Sequence, residues 1–204
     1  DLAPMFAEAF AVVQHEAALG VCHDYWLPSM SAVTAFNLEY ADLDGEAYIP
    51  RTAETVPGLI GVRWSGNPEF EHEQHRRFPP ELLFDAVEGL DCVSLQRDEG
   101  SEQRPDWMPE ASMEDWAATR QSISACELVI TSCTSIAHLA AAMGVPTWVV
   151  TPILPYYLWA LPGDTTPWYN SMRLFRQETP ADWAAPFNKI KEGLQCWHKS
   201  KMAA

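Results

Sequence analysis

Basic residues are scarce in this chain. Only 13 Lys and Arg stand against 28 Asp and Glu in 204 residues, a formal net charge of -15. Proteins that grip nucleic acid draw most of their affinity from cations set against phosphates, so this balance excludes a general nucleic-acid binder. Any anionic ligand has to be met by a local site. Long apolar runs are also missing: Leu128-Val129-Ile130 and Trp148-Val149-Val150 fall far short of the ~20 residues a helix needs to cross a bilayer. No membrane span is expected. The five cysteines, Cys22, Cys92, Cys126, Cys133 and Cys196, are odd in number and scattered, with no Cys-x-x-Cys pair. Reduced thiols in a cytoplasmic compartment are expected, rather than a disulfide framework or structural zinc. Neither Gly-x-Gly-x-x-Gly nor Gly-x-x-x-x-Gly-Lys-Ser/Thr occurs, which counts against an NAD dehydrogenase and a P-loop NTPase. The start, Asp1-Leu2-Ala3-Pro4, has neither an initiator Met nor the basic and apolar parts of a signal peptide, and the chain is read as a fragment.

What is present is apolar and aromatic. Hydrophobic residues make up 48%, with nine Trp, eight Phe and six Tyr, while charged residues are held to 20%. Such a chain buries a core and is not disordered. Its length fits one ample domain, or one domain with pieces of a second.

Residues 3–19 place Met5, Phe6, Ala9, Phe10, Val13 and Ala17 at helical spacing before Gly20, which predicts an amphipathic helix. Residues 21–56 read as a connector, with a short helix from Ser29 to Phe36 and an acidic loop carrying Glu39, Asp42, Asp44 and Glu46. From Pro57 short apolar runs alternate with amphipathic stretches, the pattern of β-α-β units on a parallel sheet. Strands are expected at Leu59–Trp64, Cys92–Leu95, Leu128–Thr131, Thr147–Val150 and Arg173–Phe175. Helices are expected at Pro80–Glu88, Met113–Ala125 and Ser135–Met143, briefly near Tyr156–Leu161, and at Asp182–Trp197. The fold class is α/β, a doubly wound Rossmann-like sheet with helices on both faces. It divides into a helical segment with connector (1–56), the Rossmann-like domain (57–177) and a C-terminal helix with tail (178–204).

In such sheets ligands lie beyond the carboxyl ends of the strands, so the strand-to-helix loops are the places to search. Thr131-Ser132-Cys133-Thr134-Ser135 runs from a buried strand into a helix, where free amides and hydroxyls suit a phosphate. His138 lies about one turn along. An ordinary hydroxyl N-cap with a bystander histidine explains the same residues equally well. A second loop, Arg63-Trp64-Ser65-Gly66-Asn67-Pro68, is followed by His72, His75, Arg76 and Arg77. Arg76-Arg77 is either a local positive spot suited to diphosphate or a solvated pair answering Glu69, Glu71 and Glu73. Gln96-Arg97-Asp98-Glu99 ends a third strand. The aromatics Tyr156, Tyr157, Trp159, Trp168 and Tyr169 line either a sugar or base pocket or the core. His72 and His75 lack the further ligands a metal needs. Cys133 as a nucleophile would need a histidine turned back toward it, which His138, on the same helix, does not favour.

Five ordered strings carry a family resemblance: Ile60-Gly61-Val62-Arg63-Trp64-Ser65-Gly66-Asn67-Pro68; Val93-Ser94-Leu95-Gln96; Leu128-Val129-Ile130-Thr131 with Thr134-Ser135-Ile136-Ala137-His138-Leu139-Ala140; Gly144-Val145-Pro146-Thr147-Trp148; and Trp168-Tyr169-Asn170-Ser171-Met172-Arg173-Leu174-Phe175-Arg176-Gln177. Together they resemble the C-terminal half of bacterial glycosyltransferases attached to tetratricopeptide repeats, distant relatives of heptosyltransferases and of protein O-GlcNAc transferase. The resemblance implies the GT-B architecture, whose C-terminal domain holds a nucleotide-sugar donor in an interdomain cleft. It also implies that Thr134 and Ser135 contact the diphosphate, that His138 contributes to the donor pocket and that Arg76, three positions before Pro79, neutralises the leaving group. Gln96, Ser65, Gly66 and Asn67 are placed beside the donor. Inversion at the anomeric carbon is suggested, with no obligatory metal and no cofactor. Relatives usually carry Asp where this chain has Cys133. The acceptor domain, with its catalytic base, is expected to be absent, so the acceptor is unknown and a partner would supply that domain. The alternatives are a noncatalytic interaction module derived from such a half and a flavodoxin-like domain.

Overall fold

The computed structural model describes residues 7, 20–28, 31–70, 73–97 and 99–202. The helix expected over 3–19 lies almost wholly outside the described residues, as do Glu71, His72 and Asp98. Five strands form one parallel sheet: β1 (Ile60–Arg63), β2 (Cys92–Ser94), β3 (Leu128–Ser132), β4 (Thr147–Thr151) and β5 (Met172–Arg176). Their spatial order is β2-β1-β3-β4-β5, so the winding reverses between β1 and β3, which pair from Ile60↔Leu128 to Arg63↔Thr131. The α/β doubly wound sheet expected from the sequence is the fold observed.

The strands form here because a sheet covered on both faces needs apolar residues at successive positions. All five residues of β3 are buried, and their side chains alternate between two layers. Leu128 and Ile130 join Ile60, Val62 and Trp64 in one core cluster, whereas Val129 joins a second with Ile123 and Ile136.

Among the described residues the helices are α1 (Ala32–Ala35), α2 (Glu73–Arg76), α3 (Pro80–Val87), α4 (Trp116–Ala125), α5 (Ser135–Ala142) and α6 (Ala184–Met202). α3 opens on Pro80 at its first position, where a missing N–H costs nothing. α4 starts at Trp116 rather than Met113 because Asp115 caps it, accepting from the Ala118 amide at 2.8 Å. α5 ends in a Schellman turn: Val145 N donates to Ala140 O and Gly144 N to Ala141 O, with Gly144 at φ 68°. The short helix expected from Ser29 to Phe36 is the single turn α1, which buries nothing. Near Tyr156–Leu161 the element is a 3-10 turn, Tyr157–Trp159.

α3 and α6 cover one face of the sheet, α4 and α5 the other. Residues 44–56 are fastened across the second face. Tyr48 N and Ile49 N both donate to Ala142 O, and Arg120 grips Pro50 O at 2.9 and 2.7 Å. No helix among the described residues is long and apolar enough to cross a membrane.

α6 lays Phe187, Ile190 and Leu194 into the same cluster as β1 and β3, and Trp183, just before the helix, joins them. Phe187 is 1% exposed and meets Phe78 edge-on at 4.9 Å between centroids. Phe187→Ala should therefore cost about 3–5 kcal/mol, read as a lower urea midpoint at unchanged m-value; a loss below 1 kcal/mol would show that α6 is peripheral to the core.

Candidate functional site

The crevice of a doubly wound sheet opens where its strand order reverses, here beyond the carboxyl ends of β1 and β3. The chain leaves β1 through Trp64–Pro68 and leaves β3 through Cys133–Thr134. Between them lies a cavity of about 410 Å³ lined by Arg63, Gly66, Asn67, Arg76, Thr134 and Ser135, with Pro68, Glu69 and Glu99. A larger groove, about 730 Å³, follows the edge strand β5 beside α6. None of the residues singled out from the sequence as donor contacts lines that groove, and it lies away from the strand ends of the switch point.

Arg76 and the Thr134 turn converge. Arg76 Nη1 donates to the Cys133 carbonyl and its Nε to a Glu73 carboxylate oxygen. The other Glu73 oxygen accepts from the Gly66 amide at 2.9 Å. Glu73 is thus held by both the β1 loop and Arg76, and the ring of Phe70 lies 4.6 Å from the guanidinium carbon. A Cβ at Gly66 would press on the ends of the Arg76 and Glu73 side chains, which would have to shift to admit it. Arg77 is exposed, whereas Arg76 answers Glu73, which is 6% exposed, in a pair largely withdrawn from solvent.

Thr134 is the N-cap of α5, yet its side chain makes no capping hydrogen bond. Its hydroxyl sits 3.4 Å from Thr131 Oγ1, which donates to Ser132 O. Ser135 is exposed at the cavity mouth. Asn67 is exposed too, its Oδ1 accepting from Glu69 N at 3.0 Å. Among the described residues the buried side-chain polar atoms without a partner are Ser132 Oγ and Thr151 Oγ1, each on the last residue of its strand.

Gln96 serves the loop rather than the cavity. Its Oε1 accepts from Trp64 N (3.2 Å) and Ser65 N (3.0 Å), and its Nε2 donates to Ser65 Oγ, Arg97 O and Glu99 O. With Gln96 1% exposed, this side chain ties the end of β1 to the end of β2. Ser65 is engaged in the same tie, its hydroxyl donating to Glu99 O.

His138 stands apart from the cavity wall. It stacks on Trp159 at 5.1 Å and shares a 3.1 Å hydrogen bond with Tyr169 Oη. Burial lowers its pKa. Trp159 and Tyr169 are core residues, while Tyr156 and Tyr157 stay exposed. The Trp159 indole N–H donates to Cys133 Sγ at 2.9 Å. Burial pushes that thiol above its ordinary range, more strongly than Trp159 and Arg76 pull it down. Cys133 packs in one core cluster with Trp159 and Tyr169. The residue that sequence reasoning missed as a site component is Glu73, named there only as a surface counter-charge; its spacing of three from Arg76 fits one helical turn.

Two measurements probe this arrangement. Gln96→Leu leaves the Trp64 and Ser65 amides without their acceptor, and each lost partner should cost about 1–3 kcal/mol, measured by denaturant unfolding; an unchanged midpoint would contradict the tie. For His138, the unfolded chain takes up a proton at the ordinary imidazole value of 6.5, before the folded chain does. Stability is therefore full above that pH and falls below it, by up to about 1.4 kcal/mol per unit. His138→Gln should flatten that part of the acid limb, and parallel limbs in the two proteins would refute the assignment. No protein-family model, curated protein or solved structure matches this chain, so the strand-end geometry is what bears on function.

Proposed function

We propose that this chain is the nucleotide-sugar donor-binding part of a glycosyltransferase, with the donor diphosphate held between Arg76 and the Thr134–Ser135 start of α5. One observation carries the reading: a cation from the loop after β1 reaches the turn after β3 at the point where the strand order reverses. The strand order by itself is also that of flavodoxin-like folds, so the reading rests on the loops. Arg63, Arg76 and the exposed amides of a helix start are the group types that hold phosphate oxygens.

Transfer from such a donor breaks the bond between the anomeric carbon and a phosphate oxygen, and the electron pair leaves with the diphosphate. The acceptor oxygen forms the new bond, with inversion, and gives up its proton to a base that is assigned to no residue of this chain. Charge grows on the departing diphosphate, where fixed cations and N–H groups stabilise it without reorganising. No metal enters this scheme. Gln96 and Ser65 hold the β1 loop in shape for it, and His138 braces the wall through Trp159.

A second reading, a noncatalytic interaction module, is favoured by one observation. The segment before the sheet exposes large aromatics: Tyr25 at 93%, Trp26 at 77% and Phe36 at 69%. Thermal-shift measurements with UDP, GDP, ADP and CMP separate the two, since a ligand that binds only the folded chain raises its melting temperature. For the donor reading, Ser135→Asp sets a carboxylate at the cavity mouth while suiting a helix start. It should weaken the best nucleoside diphosphate roughly 10–100-fold, the equivalent of about 1.5–3 kcal/mol, with melting temperature unchanged. Arg76→Ala should weaken it similarly. Equal calorimetric affinities for all three proteins would sink the site.

A further inference from the structure

We propose that the Glu73 carboxylate is a built-in occupant of the anion position in this cavity, and that an anionic ligand group binds by taking over the Gly66 amide and the Arg76 guanidinium from it. The inference rests on the reading of the cavity as a phosphate site and adds how that site is controlled.

The two Glu73 oxygens lie where a ligand anion would find its best donors. One accepts from the main-chain amide of Gly66, the other from Arg76 Nε. A main-chain amide paired with a guanidinium is the combination that phosphate groups recruit. Glu73 is also the one acid buried among the described residues, in a chain with 28 of them. A buried carboxylate needs partners for its charge, and this one takes both from the wall of the cavity. The bare Gly66 lets the ends of both side chains lie against its backbone, since a Cβ there would displace them.

Charge points the same way. The wall carries Arg63 and Arg76 against Glu69 and Glu99, and Glu73 behind it makes three carboxylates for two cations. A diphosphate entering that site is opposed until Glu73 gives up its place. In the ligand-free chain the same carboxylate keeps Arg76 aimed at the Cys133 carbonyl, so the cation is preset but neutralised. Apparent affinity is then reduced by the fraction of molecules in which Glu73 holds the site.

Glu73→Gln tests this with inorganic pyrophosphate as the probe. The amide keeps an acceptor for Gly66 N and removes the charge. Pyrophosphate affinity, measured by calorimetry at fixed ionic strength, should rise about tenfold, within the roughly 5–150-fold span of ordinary coupling between sites. Adding Arg76→Ala to that variant should abolish the gain. Should Glu73→Gln fail to fold, the wild-type chain decides. In its proton–nitrogen spectrum the Gly66 amide and the Arg76 Nε–H should shift together along one saturating pyrophosphate titration. Equal affinity in wild type and Glu73→Gln, or saturation without movement of the Gly66 amide, overturns the proposal. Binding of pyrophosphate to neither protein overturns it as well, by removing the anion site. A gain for pyrophosphate with no preference for any nucleoside diphosphate supports it while counting against the nucleotide-sugar reading.

Discussion

Between β1 and β3 the winding of the sheet turns back on itself, and every other feature of the carboxyl edge follows from that reversal. Crossovers between parallel strands are right-handed, so the path from β1 to β2 lays α3 on one face while the path from β3 to β4 lays α5 on the other. The loops leaving two neighbouring strands part in opposite directions. A gap opens above the sheet, and it has to be closed by side chains or filled by a ligand. Here the closure is partial: Gln96 spans from β2 to the β1 loop, and Arg76 spans from that loop to the β3 turn.

These two spans differ in what they leave free. Gln96 uses both ends of its amide on this chain's own loops, and nothing of it remains to offer a ligand. Its contribution is rigidity, which matters for a site whose donors must be fixed before charge develops. Arg76 belongs both to the loop and to the cavity wall. Its pairing with Glu73 satisfies a charge that would otherwise be costly to bury, and the same pairing sets the terms on which an anion enters.

The edge strand β5 carries Arg173 exposed between buried Met172 and Leu174, whereas β3 and β4 were legible as short, nearly continuous apolar runs, as burial on both faces requires. Their ends were read short where hydroxyls continue the ladder: Ser132 pairs with Val150 and Thr151 with Arg176, yet neither looks like a core residue. α2 was invisible for a different reason. Glu-Gln-His-Arg is one turn with no apolar stripe, and its anchors lie outside it, Gly66 for Glu73 and the Cys133 carbonyl, 57 residues on, for Arg76. The strand-end rule marked both loops as places to search, and it was the family resemblance that set Arg76 and the Thr134 turn around one site; the burial of Glu73 was not foreseen, since an acid beside two arginines reads as solvated. Gln96 was placed correctly at its strand end, but its partners Trp64 and Ser65 lie 32 and 31 residues away, in the loop that leaves the neighbouring strand β1, a relation no local pattern carries. His138 was read toward the donor pocket from its distance along α5. Its ring packs on Trp159 and bonds to Tyr169, contacts that the spacing along the helix does not show.

The scarcity of cations takes on a physical meaning once their partners are known. Six of the nine arginines, Arg51, Arg63, Arg76, Arg104, Arg120 and Arg176, donate to main-chain carbonyls. A guanidinium offers five donors in a fixed plane, so one side chain can hold a loop at several points. Arg176 does this for the segment after β4, reaching Trp159, Leu161 and Gly163. Six of the 13 Lys and Arg of this acidic chain are therefore engaged in fastening backbone. Arg63 and Arg76 alone among these six also stand in the wall of the switch-point cavity. An anion that recruits them draws on donors already fixing the β1 and β3 loops, so binding and loop geometry are linked there through shared hydrogen bonds. A ligand that only adds to those bonds tightens the loops, whereas one that replaces them has to restore the geometry they held.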